Sequence, residues 1–209
     1  MIIAVDGPTA SGKGTIAKAL AAYFGLPHMD TGLLYRAVGF EVRARGGDPD
    51  DPAAALAACN FADELIGHPE LRSEESGGLA SRVSVHPDVR TALYKRQRAY
   101  ALQPGGAVLD GRDIGTVIAP EAEIKLFVTA SVEARAERRL AEMLKSGRAA
   151  TMAEITAALE ARDARDAARE TAPLLAAEDA IIFDNSLFTR DESIARAIAL
   201  AELAIARPD

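Results

Sequence analysis

Residues Gly7 to Thr15, Gly-Pro-Thr-Ala-Ser-Gly-Lys-Gly-Thr, follow a short apolar run, Ile2-Ile3-Ala4-Val5, and open a helical pattern. That order of strand, glycine-rich loop and helix limits the possible folds more than any other feature, because it builds a phosphate cradle. Gly7 and Gly12 let the backbone approach an anion without a Cβ in the way. Successive amides then point inward, and the N-terminus of the following helix adds partial positive charge. Lys13 can reach β- and γ-phosphates. The general motif has Ser or Thr after the lysine; here Gly14 stands there and Thr15 follows one place later. The alternative is a glycine-rich turn with no ligand. Spacing, lysine and preceding strand argue against it.

Further along, apolar β-type runs alternate with helical patterns, which predicts a parallel sheet with helices on its faces. Strands are expected at 2–5, 27–29, 107–110, 124–128 and 180–184. Helices are expected at 13–24, 32–45, 52–66, 87–102, 132–146, 152–169 and 190–206. Asp51-Pro52 reads as an N-cap with proline in the first turn. Thr151 with Glu154, and Thr189 with Glu192, have capping-box spacing. In the last helix Ile194, Ile198, Ala197 or Ala201, and Ile205 read as the face on the sheet. Segment 47–86 breaks the alternation with Gly46-Gly47, Asp-Pro pairs and the polar run 72–78, so a mobile insertion is expected there. Segment 146–173 is a second candidate moving part.

The sequence has 24 Lys and Arg against 31 Asp and Glu, a formal charge of −7. A general polynucleotide binder needs the opposite balance or a basic tail, so phosphates must be met by a local cluster. Cys59 is the only cysteine, which allows no internal disulfide and fits a reducing compartment. The chain enters its first strand with no basic, apolar leader. No apolar run approaches the ~20 residues that span a bilayer. A cytoplasmic protein without a membrane partner is expected. His28, His68 and His86 lie at no metal-ligand spacing and read as surface or turn residues.

Three further groups carry chemistry. Asp30-Thr31-Gly32-Leu33-Leu34-Tyr35-Arg36 follows the second strand, where α/β folds bind ligands. Thr31 can hydrogen-bond a base or sugar, and Arg36 can hold a phosphate with both prongs. A cap followed by a surface arginine would look the same. Asp110-Gly111-Arg112-Asp113-Ile114-Gly115 ends the third strand; its charges and glycines do nothing for a core, although a polar loop with an internal ion pair is the alternative. Arg162, Arg165 and Arg169 stand at i, i+3 and i+7, on one face of a helix, with Asp166 on its flank. That stripe suits neutralisation of a phosphoryl group in transfer, or simply a solvated, ion-paired helix. Arg90, Lys95, Arg96 and Arg98 on the helix after His86-Pro87, and Ser81 before it, are less specific.

Taken in this order, with Lys-Arg-Gln-Arg-Ala at 95–99 and Ala172-Pro173-Leu174, these motifs resemble the bacterial cytidylate kinases, P-loop nucleoside monophosphate kinases. Lys-Gly-Thr at 13–15 fits the same group. The resemblance runs from about residue 2 to about 203. It implies a three-layer α/β/α kinase domain with a five-stranded parallel sheet. The core would be 1–30, 87–145 and 174–209, the nucleoside monophosphate region 31–86, and a helical lid 146–173. The stretch 60–80 is short for the small three-stranded sheet of some relatives, so a full extra sheet is not expected there, and whether any sheet is kept stays open.

The implied roles are specific. Gly7, Pro8, Thr9, Ala10, Ser11, Gly12, Lys13, Gly14 and Thr15 would hold ATP, with Lys13 also catalytic. Thr31, Arg90, Asp113 and Arg169 would surround cytosine, Tyr35 and Asp110 would also bind substrate, and Arg36 and Arg112 would hold the CMP or dCMP phosphate, with Arg112 also catalytic. Ser81, Arg162 and Asp166 would approach the sugar, with Arg162 and Arg165 turning to the phosphoryl group. Thr15, in part through water, would bind Mg2+, and Asp110 would organise its waters. A monomer is implied.

Such a reaction needs no strong base, because the acceptor is already anionic; the obstacle is repulsion between two polyanions. Base choice follows from polarity: cytosine offers an amino donor where uracil offers a carbonyl, and Asp113 is an acceptor. Other small P-loop kinases, acting on AMP, UMP or shikimate, are the nearest alternative. A guanine-reading switch would need Asn-Lys-x-Asp, and neither Asn60 nor Asn185 is followed by lysine.

Overall fold

A computed structural model of the chain describes residues 1–145 and 147–206. The chain forms two compact units, Met1–Met29 with Ala101–Asp209, and Asp30–Tyr100. The fold is a three-layer α/β arrangement with a five-stranded parallel sheet in the order β2-β3-β1-β4-β5. The strands are β1 (Ile2–Asp6), β2 (His28–Asp30), β3 (Ala107–Gly111), β4 (Ile124–Thr129) and β5 (Ile181–Asp184). All five positions of β1 and of β3 are buried, as near-continuous apolar runs in a parallel sheet require.

In the first unit α1 (Lys13–Phe24) and α8 (Arg190–Ile205) cover one face of the sheet. Ile16, Leu20, Ala197 and Ala201 meet Ile3, Val5, Val108 and Leu126 there. The buried stripe of α8 is Ser193, Ala197 and Ala201, with Ile198 packed against the same core as expected; Ile205, expected on that face, is exposed. Small residues face inward because α8 lies directly against α1. The register sets the site: Val5 pairs with Asp110 and Asp6 with Gly111, so the loops after β1 and β3 leave the sheet side by side. Helices α6 (Val132–Lys145) and α7 (Met152–Ala167) follow β4. Residue 146, which the sequence places in α6, lies outside the described residues. Both capping boxes form, at Thr151 with Glu154 and at Thr189 with Glu192.

The second unit holds α2 (Gly32–Ala44), α3 (Pro52–Ala57), α4 (Glu74–Val83) and nearly all of α5 (Pro87–Ala101). Residues 87–100 thus belong with 30–86, where the expected division groups them with the core. Arg90 of α5 stacks over the Tyr35 ring of α2 at 5.5 Å. The expected helix 52–66 stops at Ala57, because Phe61 turns inward under the Arg96 guanidinium, 4.8 Å from its ring centroid. Two short 3-10 turns follow, at Asp63–Gly67 and Pro69–Arg72.

In the polar run 72–78, Arg72 ends the second 3-10 turn, Ser73 caps α4 and residues 74–78 form its first turns. Ser73 accepts from the Ser76 amide, and Glu74 and Glu75 lie at the positive end of the helix. Arg43 pairs with Glu70 and Glu75 at 2.8 and 2.7 Å. Helix α4 packs on α2 so closely that a Cβ on Gly39 would lie 2.6 Å from the Leu79 Cβ. Every residue from 47 to 86 is described, and none is in a strand.

Candidate active site

The loop after β1 curls into a nest of amides. Gly7 has φ +149° and a Cβ there would sit 2.0 Å from the Val128 carbonyl oxygen; Gly12 has φ +93° and would meet the Asn185 amide at 2.6 Å. Glycine is therefore required twice, by backbone angle and by neighbours. Gly12 is also the N-cap of α1, so Lys13, Gly14 and Thr15 open the helix with no side chain competing for its first amides. Lys13 Nζ donates to the Pro8 carbonyl at 3.2 Å, folded across the loop it is expected to serve.

The loop is clamped from outside by residues that the sequence does not single out. Arg135 of α6, buried, donates to the Thr9 carbonyl at 3.2 Å, to Ala130 at 3.0 Å and to Asp163 Oδ2 at 2.6 Å. Arg138, one turn on, donates to the Ser11 and Asn185 carbonyls. Asn185 Nδ2 donates to Ser11 O at 2.8 Å, and Ser193 of α8 donates to Asn185 Oδ1. A pair of arginines at i, i+3 on the core-facing side of an amphipathic helix is the available signal. Read as sequence, it is indistinguishable from solvated charge.

The loop after β3 supplies the second wall. Arg112 Nη2 donates to Thr9 Oγ1 at 2.6 Å, and its Nε to Asp166 Oδ2 at 2.9 Å. Thr9 is thus held through its hydroxyl by Arg112 and through its carbonyl by Arg135. Burial pushes the Asp166 carboxyl up, but the guanidinium groups of Arg112, Arg169 and Arg162 outweigh it and hold it below the usual carboxylate range. The expected stripe is only partly present. Helix α7 ends at Ala167, so Arg169 lies beyond it, buried, with Nε on the Asp166 carbonyl at 3.2 Å. Arg162 is half-buried and Arg165 exposed. Geometry beyond a helix's end no longer follows the 3.6 repeat, which is why the spacing misleads.

Asp110 faces the phosphate loop: a Cβ on Gly14 would lie 3.6 Å from its Oδ2. Its other oxygen is 2.7 Å from His28 Nε2. His28 is therefore a partner of the site and not the turn residue expected, and His86, also expected at the surface, is buried with Nε2 on the Pro49 carbonyl. Thr15 and Asp110 offer oxygen donors of the kind Mg2+ takes while keeping most of its water. They fit that ion in company with phosphates.

In the second unit, Thr31, Tyr35, Ser81 and Arg90 are buried. Thr31 precedes α2 without using its side chain as a cap. Arg90 donates to the Ser84 carbonyl at 3.4 Å, and the Ser84 hydroxyl donates to the Ser81 carbonyl at 3.1 Å. Arg36 donates to the Leu71 and Ser73 carbonyls at 2.7 and 2.8 Å, tying α2 to the start of α4. Among the described residues no helix is long and apolar enough to cross a membrane.

Comparison with known proteins bears on the fold and the family. The solved structure of an uncharacterized protein from Eubacterium ventriosum covers 99% of each chain at a TM-score of 0.56 and 14% identity, a likeness of fold alone. The cytidylate kinase of Caulobacter sp. (strain K31) is 50% identical over 207 residues, 99% of this chain and 96% of its own. That of Cereibacter sphaeroides (strain ATCC 17023) is 53% identical over 201 residues, 96% and 95% of the two chains. The family model described as cytidylate kinase matches residues 3–203. With the phosphate loop, the Asp110–Gly115 loop and this match over nearly its whole length, the chain belongs to the cytidylate kinase family.

Proposed function

We propose that the chain transfers the γ-phosphoryl group of ATP to CMP and dCMP, giving ADP and the diphosphate, and that it does so as a cytoplasmic monomer. The observation that carries this reading is Arg112, held between Thr9 of the phosphate loop and Asp166. A fork of donors there suits a phosphoryl group passing between two anions. Residues 7–15 take the ATP phosphates on their amides, and Lys13 leaves the Pro8 carbonyl for them. Mg2+, entering with ATP beside Thr15 and Asp110, would supply charge neutralisation on the β- and γ-phosphates. Arg162 and Arg165 add positive charge as the group moves. In the second unit Thr31, Tyr35, Arg36, Ser81 and Arg90 are assigned to the acceptor nucleotide; in the first, Arg112, Asp113, Asp166 and Arg169.

Asp113 is assigned to the cytosine amino group. Uracil would put a carbonyl against the carboxylate, at a cost on the order of 1–3 kcal/mol. ADP release measured with CMP, dCMP, UMP and AMP tests the substrate class; equal turnover on all four would refute it. Asp113→Asn should lower the CMP-to-UMP ratio of kcat/KM about tenfold or more, and an unchanged ratio would remove Asp113 as the reader.

A further inference from the structure

Asp6 is a buried carboxylate with no part in the phosphoryl transfer described so far. It is the last residue of β1, immediately before the phosphate loop, and its side chain points under the loop that follows β3. Oδ1 accepts from the Ile114 amide at 2.9 Å, and Oδ2 from the Gly115 amide at 2.8 Å. Those amides begin a single π-helical turn, Ile114–Ile118. The Asp113 carbonyl accepts from Val117 and Ile118, and Ile114 from Ala119, so the turn's later amides are satisfied within it. Its first amides have no partner inside the turn, as at any helical N-terminus. Asp6 supplies one from 108 residues away, where a local Ser or Asp cap would ordinarily stand. Single π turns recur at functional sites.

We propose that Asp6 is a positioning residue for the acceptor base: it pins the π turn, and with it the Asp113 carboxylate just before the turn, to the strand that leads into the phosphate loop. The proposal rests on the assignment of Asp113 to cytosine. Asp113 has φ −144° and ψ 26°, neither helix nor strand, so no regular element fixes its direction. The two hydrogen bonds from the next two residues to Asp6 hold the backbone from which that carboxylate projects. A charged acceptor serves both donors; a neutral amide or acid has only one strong acceptor oxygen and turns a donor toward the other N–H.

Burial pushes the Asp6 carboxyl up to about 7, against the Gly115 and Ile114 amides that pull it down. Asp113 adds to the rise and Arg112 opposes it. From β4, Lys125 lays its methylenes against Gly115 and sends its ammonium to Asp179 at 2.6 Å. The doubly accepting form of Asp6 is thus lost on mild acidification, and acceptor recognition should weaken with it.

Asp6→Asn tests this against Asp113→Asn. For Asp6→Asn, kcat/KM for CMP should fall about tenfold at pH 7.5 and the CMP-to-UMP ratio about fivefold, with the KM for ATP within twofold of wild type. The ratio of variant to wild-type kcat/KM for CMP should rise toward one between pH 7.5 and 6, because the wild type loses its carboxylate there; CMP's own titration cancels in that ratio. An ATP KM raised as much as that for CMP, or a flat ratio across pH, would mean a merely structural carboxylate and overturn the proposal. If Asp113→Asn leaves base selectivity intact while Asp6→Asn alters CMP kinetics, the Asp113 assignment fails separately. Should Asp6→Asn not fold, aspartate-carboxyl 13C NMR of the wild type decides. A carboxyl signal titrating near 7 should move its midpoint down when CMP is saturating and stay put with ATP alone. A midpoint insensitive to CMP would refute the coupling.

Discussion

Most proteins lose stability as carboxylates are protonated, but Asp6 should add stability as the solution is acidified from pH 8 to 5.5. In the folded chain its carboxyl titrates at about 7, against an ordinary value of 3.8. Between those values the folded state binds a proton that the unfolded state does not, so lowering the pH favours folding. At about 1.36 kcal/mol per pH unit, the full gap corresponds to about 4 kcal/mol. From pH 8 to 5.5 the expected gain is about 2 kcal/mol, since part of the range lies above 7 and the rest above the unfolded value. Asp166 cannot mask it. Its carboxyl is held down, so its contribution is present above the unfolded carboxylate range and is lost only below it. The assay is urea unfolding of wild type and Asp6→Asn at half-unit steps. Taking the difference cancels the histidines and every other group common to both. The wild type should gain about 2 kcal/mol on the variant toward acid, or about 5 °C in Tm. Parallel stability curves would show that Asp6 is not raised and refute the account of its burial.

Two further outcomes follow from the clamps on the phosphate loop. Arg135→Met should cost about 2 kcal/mol in urea unfolding, short of the full penalty for breaking a buried pair because Asp163 keeps 27% of its side-chain surface and can be hydrated; it should also raise the KM for ATP, since Thr9 loses one support. Gly7→Ala should abolish ATP binding in calorimetry even if the chain folds, because its Cβ would sit 2.0 Å from the Val128 carbonyl oxygen and the loop must move to relieve it.

The elements legible in the sequence are those built by local rules. The five strands lie within a residue of their expected ends, and four of them, all but the short His28-Met29-Asp30, are largely apolar runs with loop residues on either side. Both capping boxes are visible because cap and partner are three residues apart. The phosphate loop and Asp110–Gly115 are legible because glycine and charge at a strand's end have no core role. What is illegible depends on distance along the chain. Asp6 to Ile114, Arg112 to Thr9, Arg135 to Thr9 and Asn185 to Ser11 each span 100 residues or more, and no spacing rule reaches that far. Where a local rule is pressed past its range it fails, as at Arg169, which leaves the helix before the i+7 position, and at Phe61, whose burial ends a helix that alanine would have continued.

The long-range contacts also give the acidic balance of the chain a physical meaning. A kinase whose substrates are polyanions has to gather guanidinium groups, and gathered cations repel and are costly to desolvate. Here two of the cations at the phosphate loop are matched before any nucleotide arrives: Asp166 takes Arg112 and Asp163 takes Arg135. Each carboxylate holds its arginine in one direction, so little side-chain entropy remains to be lost when a phosphate takes over. The same pairing makes the carboxylates competitors of the phosphate. Removing Asp166 should therefore divide its effects: binding of an anion to Arg112 becomes easier on charge alone, while the loss of a fixed direction lowers kcat. A variant Asp166→Asn with a lower KM for CMP and a lower kcat would fit a carboxylate that preorganises; one with a higher KM and unchanged kcat would mean that Asp166 serves binding alone and that the preorganisation argument is wrong.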